Sequence, residues 1–81
     1  MMFTGRVSIL LKPGIADPQG QTIERALPAL GYDGVKNVRV GKLIELEVEA
    51  DDGGQAKTKV EEMCERLLAN PVIEAYEVDV E

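Results

Sequence analysis

The chain has 81 residues, with nine basic and fifteen acidic side chains, a net charge of −6 and no histidine. This length suits one domain covering residues 1–81, and so small a domain buries only about 60% of its unfolded surface, so that association would add stability. The negative charge argues against nucleic-acid binding, which needs a basic surface. The lack of histidine removes the commonest general base and metal ligand.

The expected location follows from the cysteine content and from hydropathy. A single cysteine, Cys64, excludes an internal disulfide framework and fits a reducing compartment. No apolar run approaches the roughly 18 residues that span a membrane. The residues from Met1 to Arg6 also lack the apolar core of a signal peptide. We therefore expect a cytoplasmic protein that contacts neither membrane nor nucleic acid.

A strand and the start of a helix are predicted first. Residues 3–12 show the period-two pattern of a strand, and Pro13-Gly14 ends it because proline lacks a ladder N–H. Asp17 suits the N-cap of a helix, and Pro18 suits its first position, where the N–H would have no partner in any case.

The first helix should pack one apolar stripe on the core. The residues of that stripe recur at helical spacing: Ile23, Ala26, Leu27 and Leu30. Pro28 removes a hydrogen bond inside the helix, so we predict a kink or a loosened last turn there. Gly31 is expected to end the helix in the left-handed conformation, followed by Tyr32 in a Schellman-type ending.

Residues 35–49 are predicted to form a β-hairpin around Gly41-Lys42. A two-residue loop would mix valine and glutamate on one face. A three-residue loop or bulge keeps one face apolar, and a slip of one residue would put charges into the core. We therefore favour the odd loop, which sets Arg39 opposite Glu45 and leaves Lys42 at the tip.

A second helix and a last strand complete the chain. Asp52 as N-cap and Gln55 three residues later resemble a capping box. Asn70-Pro71 should stop the helix, and residues 72–80 read as a strand. The apolar residues of the helix are expected to be buried: Ala56, Val60, Met63, Cys64 and Leu67.

The order β-α-β-β-α-β predicts an α+β ferredoxin-like sandwich, with an antiparallel four-stranded sheet and both helices on one face. Leu10, Ile73 and Ala75 would then lie on the face that the helices leave uncovered. Exposed apolar residues on so small a domain point to subunit association, either face to face or by exchange of strands.

Few side chains are candidates for chemistry. The acidic run Glu45–Asp52 could bind magnesium or supply an acid and a base, but alternate glutamates on a strand and aspartates at a helix start favour a structural role. Cys64 lies on the apolar stripe without a neighbouring base, which favours packing. Arg39 either pairs with Glu45 or contacts a partner. Lys42 is either merely solvated or a second point of contact.

Five segments, in matching order and spacing from about residue 4 onward, resemble the PurS family, the small subunit of phosphoribosylformylglycinamidine synthase (FGAM synthase). They are Lys12-Pro13-Gly14, Asp17-Pro18-Gln19-Gly20, Leu30-Gly31-Tyr32, Val38-Arg39-Val40-Gly41-Lys42 and Leu68-Ala69-Asn70-Pro71-Val72-Ile73-Glu74.

The resemblance implies a non-catalytic subunit of a carbon–nitrogen ligase in de novo purine (IMP) biosynthesis, which converts formylglycinamide ribonucleotide to its amidine with ATP and glutamine. A PurQ glutaminase subunit would release ammonia, and a PurL synthetase subunit would use ATP and magnesium. The PurS-like chain, as a homodimer or tetramer, would bridge the two and assist ammonia transfer.

The resemblance carries over no catalytic, cofactor-binding or metal-binding residue. The match to the Val-Arg-Val-Gly-Lys segment makes Arg39, Gly41 and Lys42 the candidates for partner contact. The alternative is a free-standing regulatory module of ferredoxin-like shape that binds a small ligand at a dimer interface.

Overall fold

A computed structural model describes all 81 residues. It contains three strands and two helices: β1 (Met2–Leu11), α1 (Pro18–Ala26), β2 (Gly41–Glu49), α2 (Gly53–Met63) and β3 (Glu74–Val80). A 3-10 turn over Leu27–Leu30 extends α1, and a π-helical turn over Cys64–Leu68 extends α2. The α+β class with an antiparallel sheet is confirmed.

The sheet has β1 at its centre, in the order β2-β1-β3, and both pairings are antiparallel. Val7 lies opposite Ile44 on one side and Val78 on the other, so apolar residues of all three strands share the face that α2 covers. The buried apolar core comprises Val7, Ile9, Val48, Ala50, Ala56, Val60, Cys64 and Ala69.

The predicted start of α2 is confirmed. Asp52 Oδ1 accepts a hydrogen bond of 2.8 Å from the Gln55 N–H, and Gln55 Oε1 accepts one of 2.7 Å from the Asp51 N–H. The first bond satisfies a donor that the first helical turn leaves free, and the second holds the residue before the N-cap. They fix α2 on the sheet, where Ala56 and Val60 are completely buried.

The end of the second helix departs from an α-helix. The Ala69 N–H donates to the Cys64 carbonyl at 3.0 Å, five residues back, and this wider turn shifts the helical phase. Leu67 is consequently 82% exposed, so its predicted place in the buried stripe is wrong. The Tyr76 hydroxyl donates to Glu65 Oε2 at 2.6 Å, which raises the pKa of Tyr76 to about 12 and ties β3 to this turn.

The last strand begins later than predicted, at Glu74. Asn70 holds the residues that precede the strand in a turn. Its side-chain oxygen accepts from the Val72 N–H, and its carbonyl accepts from the Ile73 and Glu74 N–H groups. An asparagine side chain that bonds to the backbone two residues on is typical of such turns.

The first helix begins and ends as its sequence indicates. Asp17 caps it, and Pro18 occupies the first turn. The predicted loosening at Pro28 is confirmed, since the α-helix gives way to the 3-10 turn. Gly31 has φ +95°, and the Tyr32 N–H donates to the Leu27 carbonyl at 3.1 Å, as in a Schellman ending.

The predicted packing of α1 on the sheet is wrong. Ala26 is exposed, and Leu30 in the turn that follows is 72% exposed, so the apolar stripe faces away from the core of this chain. The chain measures 51 × 25 × 14 Å, with a radius of gyration of 16.2 Å. A compact chain of this length would have about 12 Å. α1 therefore extends the molecule beyond one end of the sheet.

The predicted β-hairpin is also absent, and the sheet has three strands rather than four. Residues 35–40 form no strand, and Gly41 begins β2 opposite Leu10. Lys42 lies in the ladder and not at a tip. Glu45 faces Arg6 instead of Arg39, with 2.7 Å between Arg6 Nε and Glu45 Oε2.

Replacing Gly41 by alanine tests the closeness of β1 and β2. A Cβ at this position would overlap the carbonyl oxygen of Ile9, a backbone atom that the ladder holds in place. We expect Gly41→Ala to lower the free energy of unfolding by about 1–3 kcal/mol, measured by urea denaturation.

Gly34→Ala is the matched control, because no atom lies within 4 Å of a Cβ at that position. Its free energy of unfolding should stay within about 0.5 kcal/mol of the wild type. Wild-type stability of Gly41→Ala would show that the two strands separate at low cost there.

Candidate partner interface

Residues 37–40, called here the 37–40 segment, are held against α1 by two carboxylates. The Val38 N–H donates to Glu24 Oε1 at 2.9 Å, and the Val40 N–H donates to Asp17 Oδ2 at 2.8 Å. Asn37, which precedes them, has φ +60°, in the left-handed region. Side chains of α1 and of its N-cap thus occupy the donors that a sheet ladder would use, which explains the missing hairpin.

Asp17 is the most buried charged residue of this region, with 7% of its surface exposed. Its Oδ1 accepts a hydrogen bond of 3.0 Å from the Gly20 N–H, while its Oδ2 accepts the one from the Val40 N–H. These hydrogen bonds, the one from Val40 first, and the charge of Arg39 lower the pKa of Asp17 although burial opposes them. The carboxylate therefore stays charged while nearly enclosed.

Gly20 permits this close packing. A Cβ there would overlap the Val38 carbonyl oxygen and crowd the Asp17 carboxylate. A larger residue in the first turn of α1 would therefore push the 37–40 segment away from the helix. Glycine disfavours a helix interior by about 1 kcal/mol relative to alanine, so its place here reflects packing rather than helix propensity.

Arg39 connects the 37–40 segment to the end of β1. Its Nη2 donates to the Leu11 carbonyl at 2.6 Å and to the Lys12 carbonyl at 3.3 Å, and its Nε lies 3.7 Å from Asp17 Oδ2. Through Arg39 the 37–40 segment is thus linked to the residue that caps α1 and to the end of β1. The predicted pair of Arg39 with Glu45 is replaced by contacts within this cluster.

The three residues predicted for partner contact have different surroundings. Arg39 is engaged within the chain, and Gly41 lies where its backbone passes close to Ile9. Lys42 is exposed and makes neither a hydrogen bond nor an ion pair, so its ammonium remains free for another molecule. Contact of these three residues with a partner stays a prediction.

An open groove of about 340 Å³ separates the start of α1 from the end of the sheet. It is lined by Ile9, Leu11, Asp17, Gln19, Val40, Gly41, Lys42 and Glu74. Gly41 and Lys42 therefore share one depression. The lining includes no serine, threonine, cysteine or histidine, and its free cation suits an anionic or polar side chain of a partner.

The other candidates for chemistry in the chain are the thiol of Cys64 and the acidic residues. Cys64 is fully buried, and burial, followed by the charges of Glu61 and Glu65, raises the pKa of its thiol. No three His, Cys, Asp or Glu side chains converge in a way that could hold a metal ion.

The helices are all too short or too polar to cross a membrane.

Sequence reasoning missed that Glu24 and Asp17 bind the backbone of the 37–40 segment and that Gly20 makes room for it. It identified Asp17 only as a helix cap. The pattern identified Asp17 as a helix cap, but a carboxylate has room for more than one donor. A glycine inside the first helical turn was the available signal, since it indicates close approach of another backbone. No local pattern could show that the approaching backbone is residues 37–40.

The substitution Asp17→Asn separates capping from anchoring. Asparagine also caps helices well, so the hydrogen bond from the Gly20 N–H can be kept. Its amide N–H₂, however, would face the Val40 N–H, and two donors cannot bond to each other. The substitution also removes the negative charge near Arg39. We expect lower stability at neutral pH, measured by urea denaturation. Asp33→Asn is the control, because the Asp33 side chain makes no hydrogen bond or ion pair and should leave stability unchanged.

The difference between wild type and Asp17→Asn should depend on pH with a defined sign. The folded-state pKa of Asp17 lies below its ordinary value of 3.8, so the carboxylate contributes its full stability above that value. The contribution is lost as the pH falls through the lowered folded-state pKa. A gap between the two proteins that persists unchanged at the lowest pH would contradict this role of the charge.

Comparison with known proteins agrees with this architecture. The sequence model of the PurS family, described as phosphoribosylformylglycinamidine (FGAM) synthase, matches residues 4–81 of this chain. The chain is 48% identical over 80 residues to the phosphoribosylformylglycinamidine synthase subunit PurS of Methanocaldococcus jannaschii, covering 99% of this chain and 96% of that protein. It also resembles the crystal structure of the PurS subunit of Thermotoga maritima, with a TM-score of 0.90 and 41% identity over 100% of this chain and 93% of that one.

A chain of the Thermotoga maritima PurLQS structure gives the same TM-score of 0.90 and 41% identity, over 100% of this chain and 99% of that chain. Identity and coverage of this extent place sequence and fold in one family. The chain belongs to the PurS family of phosphoribosylformylglycinamidine synthase subunits.

Proposed function

We propose that the chain is the non-catalytic subunit of a phosphoribosylformylglycinamidine synthase and bridges its glutaminase (PurQ) and synthetase (PurL) subunits. The observation that carries the proposal is the match, over 100% of this chain, to a chain of the PurLQS structure. In this role the chain contributes surfaces, in keeping with a buried thiol of raised pKa and an open groove with a free ammonium.

The proposal divides the reaction among the subunits. The glutaminase subunit would release ammonia from glutamine, and the synthetase subunit would use ATP and magnesium to activate formylglycinamide ribonucleotide. This chain would hold the two together and so assist the transfer of ammonia. For this role we expect the chain in the cytoplasm, where these substrates are available.

Lys42 is the best placed of the predicted contact residues. It is exposed and unpaired beside the groove, while Arg39 is held by the Leu11 carbonyl and lies close to Asp17. We therefore assign direct contact to Lys42. Arg39 and Gly41 support it: Arg39 fixes the 37–40 segment, and Gly41 lets β2 begin next to β1.

Self-association is the second part of the proposal. The apolar stripe of α1 and the residues after it are exposed on an arm that extends past the sheet: Ile23, Leu30, Tyr32 and Val35. So small a domain gains stability by burying such a surface. A second copy of the chain, forming the predicted homodimer or tetramer, would cover the stripe and make the assembly compact.

Reconstitution tests the bridging role. The chain is mixed with the glutaminase and synthetase subunits, and glutamine-dependent formation of the amidine is measured. We expect activity to depend on the chain and Lys42→Glu to raise the concentration needed for half-maximal activity about tenfold, because it places a charge of the wrong sign at the contact.

Lys57→Glu is the matched control, since this exposed lysine on α2 makes no hydrogen bond or ion pair and should behave as the wild type. Full activity without the chain would refute the bridging role. Activity that needs the chain but is unaffected by Lys42→Glu would remove only Lys42 from the interface.

Leu30→Glu tests self-association through the α1 stripe. Leu30 is 72% exposed, so a glutamate should not disturb the fold of one chain but would bury a charge between two. In sedimentation velocity we expect the wild type to be dimeric or larger and the variant to dissociate at a concentration at least about tenfold higher. Gln21→Glu, which adds the same charge at an exposed polar position of α1, should remain associated.

A further inference from the structure

The two outer strands of the sheet each have a free edge. β1 lies at the centre, so β2 and β3 pair with it on one side only and present their other side to solvent. In an antiparallel ladder every second residue exchanges hydrogen bonds with the neighbouring strand, and the residues between direct their backbone groups to the opposite side. A row of such unused groups is a template for pairing with another strand.

The direction of the backbone groups of β2 follows from the start of its ladder. The Met1 ammonium donates to the Ala50 carbonyl at 3.1 Å, and the Ala50 N–H donates to the Met1 carbonyl at 2.9 Å. Hydrogen-bonded pairs recur at every second position, so the even-numbered residues of β2 direct their backbone groups toward β1. The odd-numbered residues direct theirs to the free edge: Gly41, Leu43, Glu45, Glu47 and Glu49.

The 37–40 segment continues this alternation past the end of β1. The N–H groups of Val38 and Val40 bond to side chains of their own chain, so the even-numbered residues again bond inward. From residue 38 to residue 50 the even-numbered residues are half-buried or buried, with Lys42 as the exception, and the odd-numbered ones are exposed. The backbone N–H of Arg39 makes no hydrogen bond in the chain, and Arg39 therefore adds one more open position to the edge.

The free edge of β2 has a definite middle. Lys59 Nζ donates to the Glu49 carbonyl at 2.9 Å and so covers one end of the edge, and lysine is a usual protection of sheet edges. At the other end Asn37 has φ +60°, a conformation that a strand does not continue. Leu43 is the centre of the open positions between these limits, which are Arg39, Gly41, Leu43, Glu45 and Glu47.

This edge is complementary to itself. A two-fold axis at Leu43 sets this residue, which is 61% exposed in one chain, opposite its own copy. Gly41 then faces Glu45 of the second copy, and Arg39 faces Glu47. Every open position is used, because each of these pairs exchanges hydrogen bonds, and no two like charges lie directly opposite each other. An axis one residue earlier would set two lysine ammonium groups opposite each other, which is destabilising.

The free edge of β3 lacks this self-complementarity. Thr4 and Glu81 exchange two backbone hydrogen bonds of 2.9 Å, so the odd-numbered residues of β3 bond to β1 and the even-numbered ones face the edge. A two-fold axis in the middle of those positions would set Glu77 opposite its own copy, and like charges directly opposite are destabilising. Pairing of β2 with β3 of another copy would leave a free edge at each end and build an open filament.

We propose that the chain binds a second copy of itself by antiparallel pairing of the two β2 edges around Leu43. The two three-stranded sheets then form one sheet of six strands, which is a common size. The inference rests on the self-association included in the proposed function and adds a second surface to it. The α1 stripe and the β2 edge are separate surfaces, so both together generate a tetramer and either alone generates a dimer.

A cysteine at the proposed axis tests the pairing. In Leu43→Cys the two thiols of an associated pair would lie on directly opposed residues, with their Cα atoms about 5.5 Å apart, which suits a disulfide. We expect most of the variant to form a disulfide-linked dimer under mild oxidation, measured by non-reducing gel electrophoresis and by mass spectrometry of the linked peptide. The native Cys64 is completely buried and should not take part.

Ser8→Cys is the matched control. Ser8 is exposed and lies opposite Leu43 in the register, but on β1, so its two copies would be three strand spacings apart, about 14 Å. This distance exceeds the reach of a disulfide, and we expect no linked dimer. Linkage of Ser8→Cys in place of Leu43→Cys would show that sheet faces meet instead of edges, and the inference would be wrong.

Glu47→Pro tests the backbone hydrogen bonds of the edge. Its N–H points away from β1, so proline should be tolerated in the single chain and removes one donor per copy from the pairing. In sedimentation velocity we expect association to weaken at least about tenfold, with urea denaturation showing that the variant is folded. Glu47→Gln keeps the N–H and should weaken association at most about fivefold, because an exposed ion pair contributes little.

The outcomes separate this inference from the rest of the proposed function. If the wild type is oligomeric but Leu43→Cys stays unlinked, the β2 edge is not the interface, although self-association through the α1 stripe stands. If Glu47→Pro associates with itself as the wild type does but no longer binds the glutaminase or the synthetase subunit, the edge receives a strand of that subunit and the inference is wrong. A wild type that is monomeric at every concentration would refute self-association and the inference together.

Discussion

The carboxylate of Asp17 is the interaction on which the shape of this chain depends. It caps α1 through the Gly20 N–H, holds the Val40 N–H and lies close to Arg39, which in turn bonds to the end of β1. Together with Glu24 it takes the backbone donors of the 37–40 segment out of reach of a sheet. The fourth strand is consequently absent, and α1 is fixed beyond the sheet instead of on top of it.

An extended arm has a thermodynamic consequence. α2 alone covers the sheet, so the buried core of this chain comprises eight residues. The apolar side chains of α1 and the following turn remain in water, and their burial in an assembly would contribute to stability at the same rate per area as burial in a core. Association would therefore add to the stability of this chain, as is general for domains near the lower size limit.

The two exposed surfaces differ in chemistry and so in the partners that they can take. The stripe of α1 is apolar and can pair with an identical stripe, because two apolar faces attract without regard to charge. The sheet face opposite α2 carries carboxylates such as Glu47 beside apolar residues such as Leu43. The groove beside Lys42 adds a third exposed surface, with a free ammonium.

The sequence by itself determined the elements whose signals are local. Asp17 and Asp52 cap helices, Pro28 loosens one, Gly31 ends it, and Asn70 turns the chain, because each acts on residues within about five positions along the backbone. The alternation of β1 and β3 also located the buried face of the sheet. The resemblance to the PurS family carried the function, which residue chemistry alone left open.

The tertiary structure decided the partners of residues 35–40 and the position of α1. The alternation around Val38 and Val40 is the same whether a strand pairs with a neighbour or bonds to carboxylates, so the pattern could not choose between them. The choice depended on Glu24 and Asp17, which lie 14 and 23 residues earlier. Contacts at such separations depend on how whole elements pack, and that information is not contained in the periodicity of any one segment.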